Sequence, residues 1–290
     1  MRTHAALPVV DPRGAFYRVY FSGRDDQGRA RVAFFDMDLD DPKARLPVSL
    51  RPALDLGPLG AFDDSGVTTS CLVNWEGRKY LYYTGWSLGI TVPFYLFAGL
   101  AVSDDDGATF RRLSPAPILP RSPQDPFLTA SPWVLVENGV WRMWYVSGSE
   151  WRMESGAPRH YYDIRHAESR DGISWRPTGH VCVTYRTAEE HAFSRPCVIR
   201  EGGIYRMWYA FRGADYRLGY AESRDGLSWR REDGLTALEP SPGAWDSAML
   251  CYPCVFLHRG LRVMLYNGND YGRTGIGLAT ETPSGPAPAS

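Results

Sequence analysis

One register recurs five times along this 290-residue chain, and it limits the possible folds more than any composition figure does. With Pro8, Ser70, Pro132, Pro196 and Pro253 set as position zero, apolar runs follow: "PVV", "SCLV", "PWVLV", "PCVI" and "PCVF". Without a gap, position +12 is Tyr20, Tyr82, Trp144, Trp208 and Leu265, and position +13 is Phe21, Tyr83, Tyr145, Tyr209 and Tyr266. Each unit then reaches an alanine in an alternating segment: Ala33, Ala101, Ala167, Ala221 and Ala279. The starts lie 62, 62, 64 and 57 residues apart. Self-similarity at a near-fixed period marks a repeat architecture.

Each unit reads as a strand, a Gly-containing turn, an aromatic strand, a loop and a third strand ending at the alanine, and three units add a fourth. Aromatic content of 13%, with 29 Gly and 22 Pro, fits short strands broken by turns. Four antiparallel strands repeated radially predict an all-β chain: a five-bladed β-propeller of four-stranded blades, one domain over 1–282, with a disordered tail over 283–290. The first unit lacks a clear fourth strand, so the segment near 36–50 or the one after Ala279 is expected to close the ring. "SDDDGATF" (103–110) resembles the Asp-box of many propellers, and 169–175 and 223–229 are shorter versions. Asp and Gly suit a tight turn between strands three and four, so these pieces read as structural.

Composition narrows the function classes. A net charge of −1 leaves no basic stripe for phosphates and argues against nucleic acid. No apolar run approaches membrane length and the first residues show no signal-peptide core, so the default expectation is cytoplasmic, with no membrane partner. Five cysteines suggest no disulfide framework. Cys251 and Cys254 form a CxxC, but on a strand an odd separation points them to opposite faces, so no metal is expected.

In an antiparallel meander the starts of the first strands and the strand 2–3 loops share one face. Residues just ahead of position zero are therefore expected to converge on a central funnel. Position −7 is Asp63, Asp125, Glu189 and Asp246, and position −6 adds Asp64 and Glu190. Gathered like charges oppose folding, which makes the funnel a candidate site. Arg195, at position −1, and His191 join the cluster. The loops of units two and three carry insertions that place Trp86 and Trp151 near the rim, where indole faces suit a sugar ring. "NGNDYG" offers Asn267, Asn269 and Tyr271 as hydroxyl partners, and Arg24 and Arg212 sit at comparable loop positions. A carboxylate-lined funnel of this kind suits a small carbohydrate or sugar-derived metabolite. Glycoside cleavage needs one carboxyl as acid and a second as base or nucleophile, and their separation sets the stereochemistry.

"LDLGPLGAFDDSGV", "KYLYYTGW", "WRMWYVSGSEW", "SRPCVIREGGIYRMWYAFRG" and "WDSAMLCYPCVF…MLYNGNDYGRTGIGLA" resemble the glycosylase-like five-bladed propeller proteins of bacterial polysaccharide and secondary-metabolite gene clusters. That group is similar, more distantly, to the glycosidase clan of arabinanases, β-xylosidases, invertases and β-mannoside phosphorylases. The resemblance implies a sugar site in which Asp64 is base or nucleophile, Asp125 positions, and Glu190 is the acid, with no metal or organic cofactor. A phosphorylase variant would use Arg195, Arg212 or His191 for the anion. The alternative is a sugar-binding or biosynthetic accessory protein that cleaves nothing, or one performing a non-glycosidic step. Neither residues nor resemblance specify the oligomeric state.

Overall fold

The computed structural model describes residues 1–42, 47–236 and 238–282, and the expected tail over 283–290 lies outside them. The chain is all-β. Unit one supplies β1 (Thr3–Pro12), β2 (Tyr17–Arg24) and β3 (Ala30–Met37). Unit two supplies β4 (Gly66–Trp75), β5 (Arg78–Leu88), β6 (Phe94–Ser103) and the short β7 (Arg111–Arg112). Unit three has β8 (Thr129–Glu137), β9 (Val140–Glu154), β10 (Ala157–Ser169) and β11 (Arg176–Val183). Unit four has β12 (Ala192–Glu201), β13 (Ile204–Arg212), β14 (Tyr216–Ser223) and β15 (Arg230–Arg231), and unit five has β16 (Cys251–His258), β17 (Leu261–Asn267) and β18 (Ile276–Thr280).

Every unit is an antiparallel meander in sequence order, and one parallel bridge, Ala30 to Gly66, joins the sheets of units one and two. Antiparallel bridges Phe35–Val48 and Val32–Leu54 lay residues 48–54 along β3, which completes the first unit. Unit five stops at three strands among the described residues, where four were expected. The first strands form a circuit: β1 packs on β4, β4 on β8, β8 on β12, β12 on β16, and β16 back on β1. Among the described residues no helix is long and apolar enough to cross a membrane.

The repeat positions explain how neighbouring units hold together. The +12 side chains reach forward to the turn ahead of the next unit's fourth strand. Tyr20 donates to the Gly107 carbonyl at 2.8 Å, Tyr82 to Gly172 at 2.7 Å, and Trp144 to Gly226 at 2.7 Å. Within those turns Asp171 accepts the amides of Ile173 and Ser174, and Asp225 those of Leu227 and Ser228, so the Asp-box pieces are structural as expected. The +1 side chains bond to the +2 residue of the next first strand: Trp133 Nε1 donates to Val198 O, and the amides of Val134 and Val255 donate to the sulfurs of Cys71 and Cys197. Cys251 and Cys254 pack in different clusters, and all five cysteines are free and buried.

Each first strand also breaks register next to position zero, giving a β-bulge in all five units. Proline lacks the ladder donor, and a bulge is where a strand tolerates that loss. The residue before it takes a left-handed backbone in four units: Leu7 (φ 53°), Ser131 (φ 48°), Arg195 (φ 54°) and Tyr252 (φ 57°). A non-glycine residue held there is strained by about 1–3 kcal/mol, and such residues gather at functional sites. Leu7, Ser131 and Tyr252, at three of these bulges, turn toward the axis of the circuit, where residues of all five units line a cavity.

Candidate functional site

A cavity of about 520 Å³ opens on that axis, lined by residues of all five units. Position −1 contributes Leu7, Ser131 and Tyr252. The second strands contribute position +14 as Thr84 and Val146, and position +16 as Arg24, Trp86 and Arg212. β6 adds Phe94, β10 adds His160 and Tyr162, β14 adds Tyr216, and the turn after β17 adds Tyr271. Gly66 pairs with Trp86 across β4 and β5, and any Cβ there would overlap the indole. That glycine lets the Trp86 ring lie against the strand instead of being pushed off it.

The polar groups of this wall are distinctive. His160 stacks on Tyr162 at 4.3 Å between ring centres, and Trp151 packs edge-on behind His160 and Phe94 at 5.7 and 5.4 Å. Burial, with the charges of His191, Arg212 and Arg159 added, lowers the His160 pKa to about 3, so its ring is neutral. Arg212 donates through Nη1 to the Tyr271 hydroxyl at 3.0 Å, while its buried Nε has no partner. The Tyr162 hydroxyl is also buried and unpartnered, on a residue only 6% exposed. Among the described residues, no Asp or Glu lines the cavity.

Three of the −7 carboxylates, Asp63, Asp125 and Asp246, expected to meet at this mouth, face their own units instead. Asp63 accepts the Tyr83 hydroxyl at 2.9 Å, Asp125 the Tyr145 hydroxyl at 3.0 Å, and Asp246 the Tyr266 hydroxyl at 3.1 Å. The reason is strand alternation. Thr84 and Val146 at +14 face the cavity, so the +13 ring points to the opposite sheet face, and the acid follows the ring. Asp63 also takes Arg112 Nε at 2.6 Å, and Asp125 takes the Ser147 hydroxyl at 2.6 Å. Burial first, and the adjacent carboxylate second, push the Tyr83 and Tyr145 hydroxyls well up, which keeps them donors. In unit four Tyr209 donates to Asp233 at 2.5 Å, and Arg231 bridges Asp233 and Glu190, gripping Glu190 with two bonds of 2.8 and 3.1 Å.

The other expected site residues divide likewise. Asp64 accepts the Gly60 amide and the Ser65 hydroxyl within its turn, and Glu189 is solvent-exposed. His191 packs behind the wall with Nδ1 on the His160 carbonyl. Arg195 is fully buried, donating to the Thr69 and Pro8 carbonyls at 2.7 and 2.6 Å, so it ties first strands together beneath the cavity. Asn267 is buried and bonds Leu7 N, Ala5 O and Gly275 O, while Asn269 caps the amides of Ala248 and Met249. Of the expected residues, Arg24, Trp86, Arg212 and Tyr271 line the cavity. Sequence reasoning missed His160, Tyr162, Tyr216 and Tyr252; the −1 register held the signal for Tyr252.

Comparison with known proteins adds the fold class. Close structural neighbours are glycoside hydrolases. A thermostable family-43 glycoside hydrolase matches with TM-score 0.71 at 17% identity, covering 99% of this chain and 97% of that one. A second glycoside hydrolase matches with TM-score 0.72 at 18% identity, over 99% of this protein and 90% of the neighbour. A mutant Bombyx mori GH32 beta-fructofuranosidase, BmSUC1, in complex with sucrose matches with TM-score 0.66 at 14% identity, over 96% and 61%. At these identities the likeness concerns the fold. No protein-family model matches the chain. Over 279 residues it is 44% identical to "Uncharacterized protein MT1551" of Mycobacterium tuberculosis strain CDC 1551 / Oshkosh, and 43% identical to "Uncharacterized protein Rv1502" of strain ATCC 25618 / H37Rv. Each match covers 96% of this chain and 92% of the relative, so the protein belongs to the family of these mycobacterial proteins.

Proposed function

We propose that this protein is a single-domain, five-bladed β-propeller over 1–282 whose axial cavity binds a small sugar-derived ligand without a carboxylate acid/base pair. The circuit of five first strands supports the blade count. The observation that carries the functional reading is the lining: indole, phenyl and phenol faces interspersed with hydroxyls and two arginines, and no carboxylate. Aromatic faces accept the C–H faces of a sugar ring, and Thr84, Ser131 and Ser194 offer partners for its hydroxyls. The volume falls in the usual range for small-molecule sites, about 300–1,000 Å³.

A second reading keeps glycosidic cleavage, with Glu190 as acid, Asp64 as base or nucleophile and Asp125 positioning them; the glycoside hydrolase neighbours favour it. It requires Glu190 to leave Arg231 and the 186–190 turn to swing inward. Calorimetry and product analysis by mass spectrometry on one panel of glycosides, oligosaccharides and sugar nucleotides separate the two. The binding reading expects ligand heat that falls about tenfold or more in Trp86→Ala, no product, and binding unchanged in Glu190→Gln. Product formed by the wild type and lost in folded Glu190→Gln and Asp64→Asn would establish cleavage instead.

A further inference from the structure

Resting on the binding reading, we infer that the ligand is anionic: a sugar carrying a carboxylate or phosphate group that Arg24 and Arg212 hold against the Tyr216–Tyr252 wall. Three observations converge. Neither arginine forms an ion pair among the described residues, whereas Arg112, Arg165 and Arg231, which serve the buried acids of units two to four, are all paired. Arg212 leaves a buried Nε unpartnered, and Tyr162 leaves a buried hydroxyl unpartnered on the same cavity wall. Among the described residues, the cavity lining contains no carboxylate to neutralise the two cations.

The arrangement between them is continuous. Arg212 lies over the Tyr216 ring at 5.6 Å, Tyr216 contacts Tyr252 at 6.2 Å, and Arg24 lines the same cavity as Tyr252. Tyr271 packs edge-on against Tyr216 at 6.2 Å while accepting from Arg212 Nη1, which fixes the guanidinium plane. A guanidinium whose plane is fixed by stacking keeps its remaining N–H donors in the fork geometry that oxyanions match. Partly burying two cations without counter-charge opposes folding, and an anionic ligand is what would offset that cost. Asp270, the residue before Tyr271, is exposed to solvent.

The test is a calorimetric titration with three probes sharing one ring, namely glucose, glucuronate and glucose 1-phosphate, together with inorganic phosphate alone, at low and high salt. Wild type, Arg24→Met, Arg212→Met and Trp86→Ala are compared, with thermal unfolding confirming that each is folded. The inference expects at least one anionic probe to bind about tenfold or more tighter than glucose, a gap that each arginine variant narrows and salt reduces. Preference for glucuronate over glucose 1-phosphate, or the reverse, identifies which anion the pair takes. Equal binding of glucose and both anions, insensitive to either arginine, overturns the anionic class while leaving the sugar site standing. Binding of phosphate alone that survives both arginine variants also overturns it. If no probe gives heat and Trp86→Ala changes nothing, the sugar-binding reading fails with it.

Discussion

Tyr145→Phe separates a carboxylate that pins the fold from one that does chemistry. The change removes a single oxygen, from a ring that is fully buried and bonded through that oxygen to both carboxylate oxygens of Asp125 at 3.0 Å. A hydrogen bond to a charged group contributes about 1.5–3 kcal/mol, and Asp125 is itself fully buried, so solvent cannot replace the lost donor. Ser147 remains on Oδ1 at 2.6 Å and places the loss toward the lower half of that range, about 1.5–2 kcal/mol. At roughly 2–4 °C per kcal/mol for a chain of this size, the melting temperature should fall by about 3–8 °C. Asp125→Asn alone and the Tyr145→Phe/Asp125→Asn pair complete a double-mutant cycle, measured by urea unfolding followed by fluorescence and circular dichroism. The coupling should reach about 1 kcal/mol or more, because the two groups touch. Coupling near zero, or a Tyr145→Phe protein as stable as wild type, would refute the pinning role.

Other consequences are open to direct measurement. Burial lowers His166 to about 4 and His160 to about 3, so the unfolded chain takes up their protons below about pH 6.5 while the folded chain does not. Their stabilisation is complete above pH 6.5 and is lost as pH falls toward 4, by up to about 1.4 kcal/mol per pH unit for each histidine; unfolding midpoints at pH 7 and pH 5 test it, and a flat profile would contradict it. Gly99→Ala would drive a Cβ into the Tyr83 ring that holds Asp63, so urea unfolding should show a loss of about 1–3 kcal/mol, whereas Gly139→Ala meets open space and should lose only what its φ of 76° imposes. All five cysteines are buried, so iodoacetamide labelling of native protein should be negligible and should reach all five together on unfolding; early labelling of one would mean that its strand opens separately.

The fold was legible because its signals were periodic. The +12 and +13 aromatics recur without a gap, and the strands they imply, β2, β5, β9, β13 and β17, all form. The site was less legible because strand spacing reports position along a chain, not the direction a loop side chain turns. The acids at 63, 125 and 246 each precede a +13 tyrosine by the same twenty residues, a spacing that signalled an internal pair and not a shared funnel. Gly99, Gly219 and Gly277 lie opposite the +13 tyrosines Tyr83, Tyr209 and Tyr266 and leave room for their rings, a second trace of the repeat. Arg24, Trp86 and Arg212 share position +16, one residue type short of an obvious pattern, because unit three has Gly148 there and unit five Asn269. Leu96, Tyr162 and Tyr216 each stand five residues before their unit's alanine and opposite position +16, a shared register that the strand pattern left unread, whereas His160 lies in the insertion of unit three.

The most direct test of the account is a crystal structure with glucuronate or glucose 1-phosphate bound. The account predicts density for the ligand in the axial cavity, its ring against the Trp86 side and its anion within hydrogen-bonding distance of Arg24 or Arg212. Asp63, Asp125 and Asp246 should remain on their tyrosines and Glu190 on Arg231. Ligand bound beside Asp64 and Glu190, with those carboxylates turned inward and the arginines empty, would contradict it.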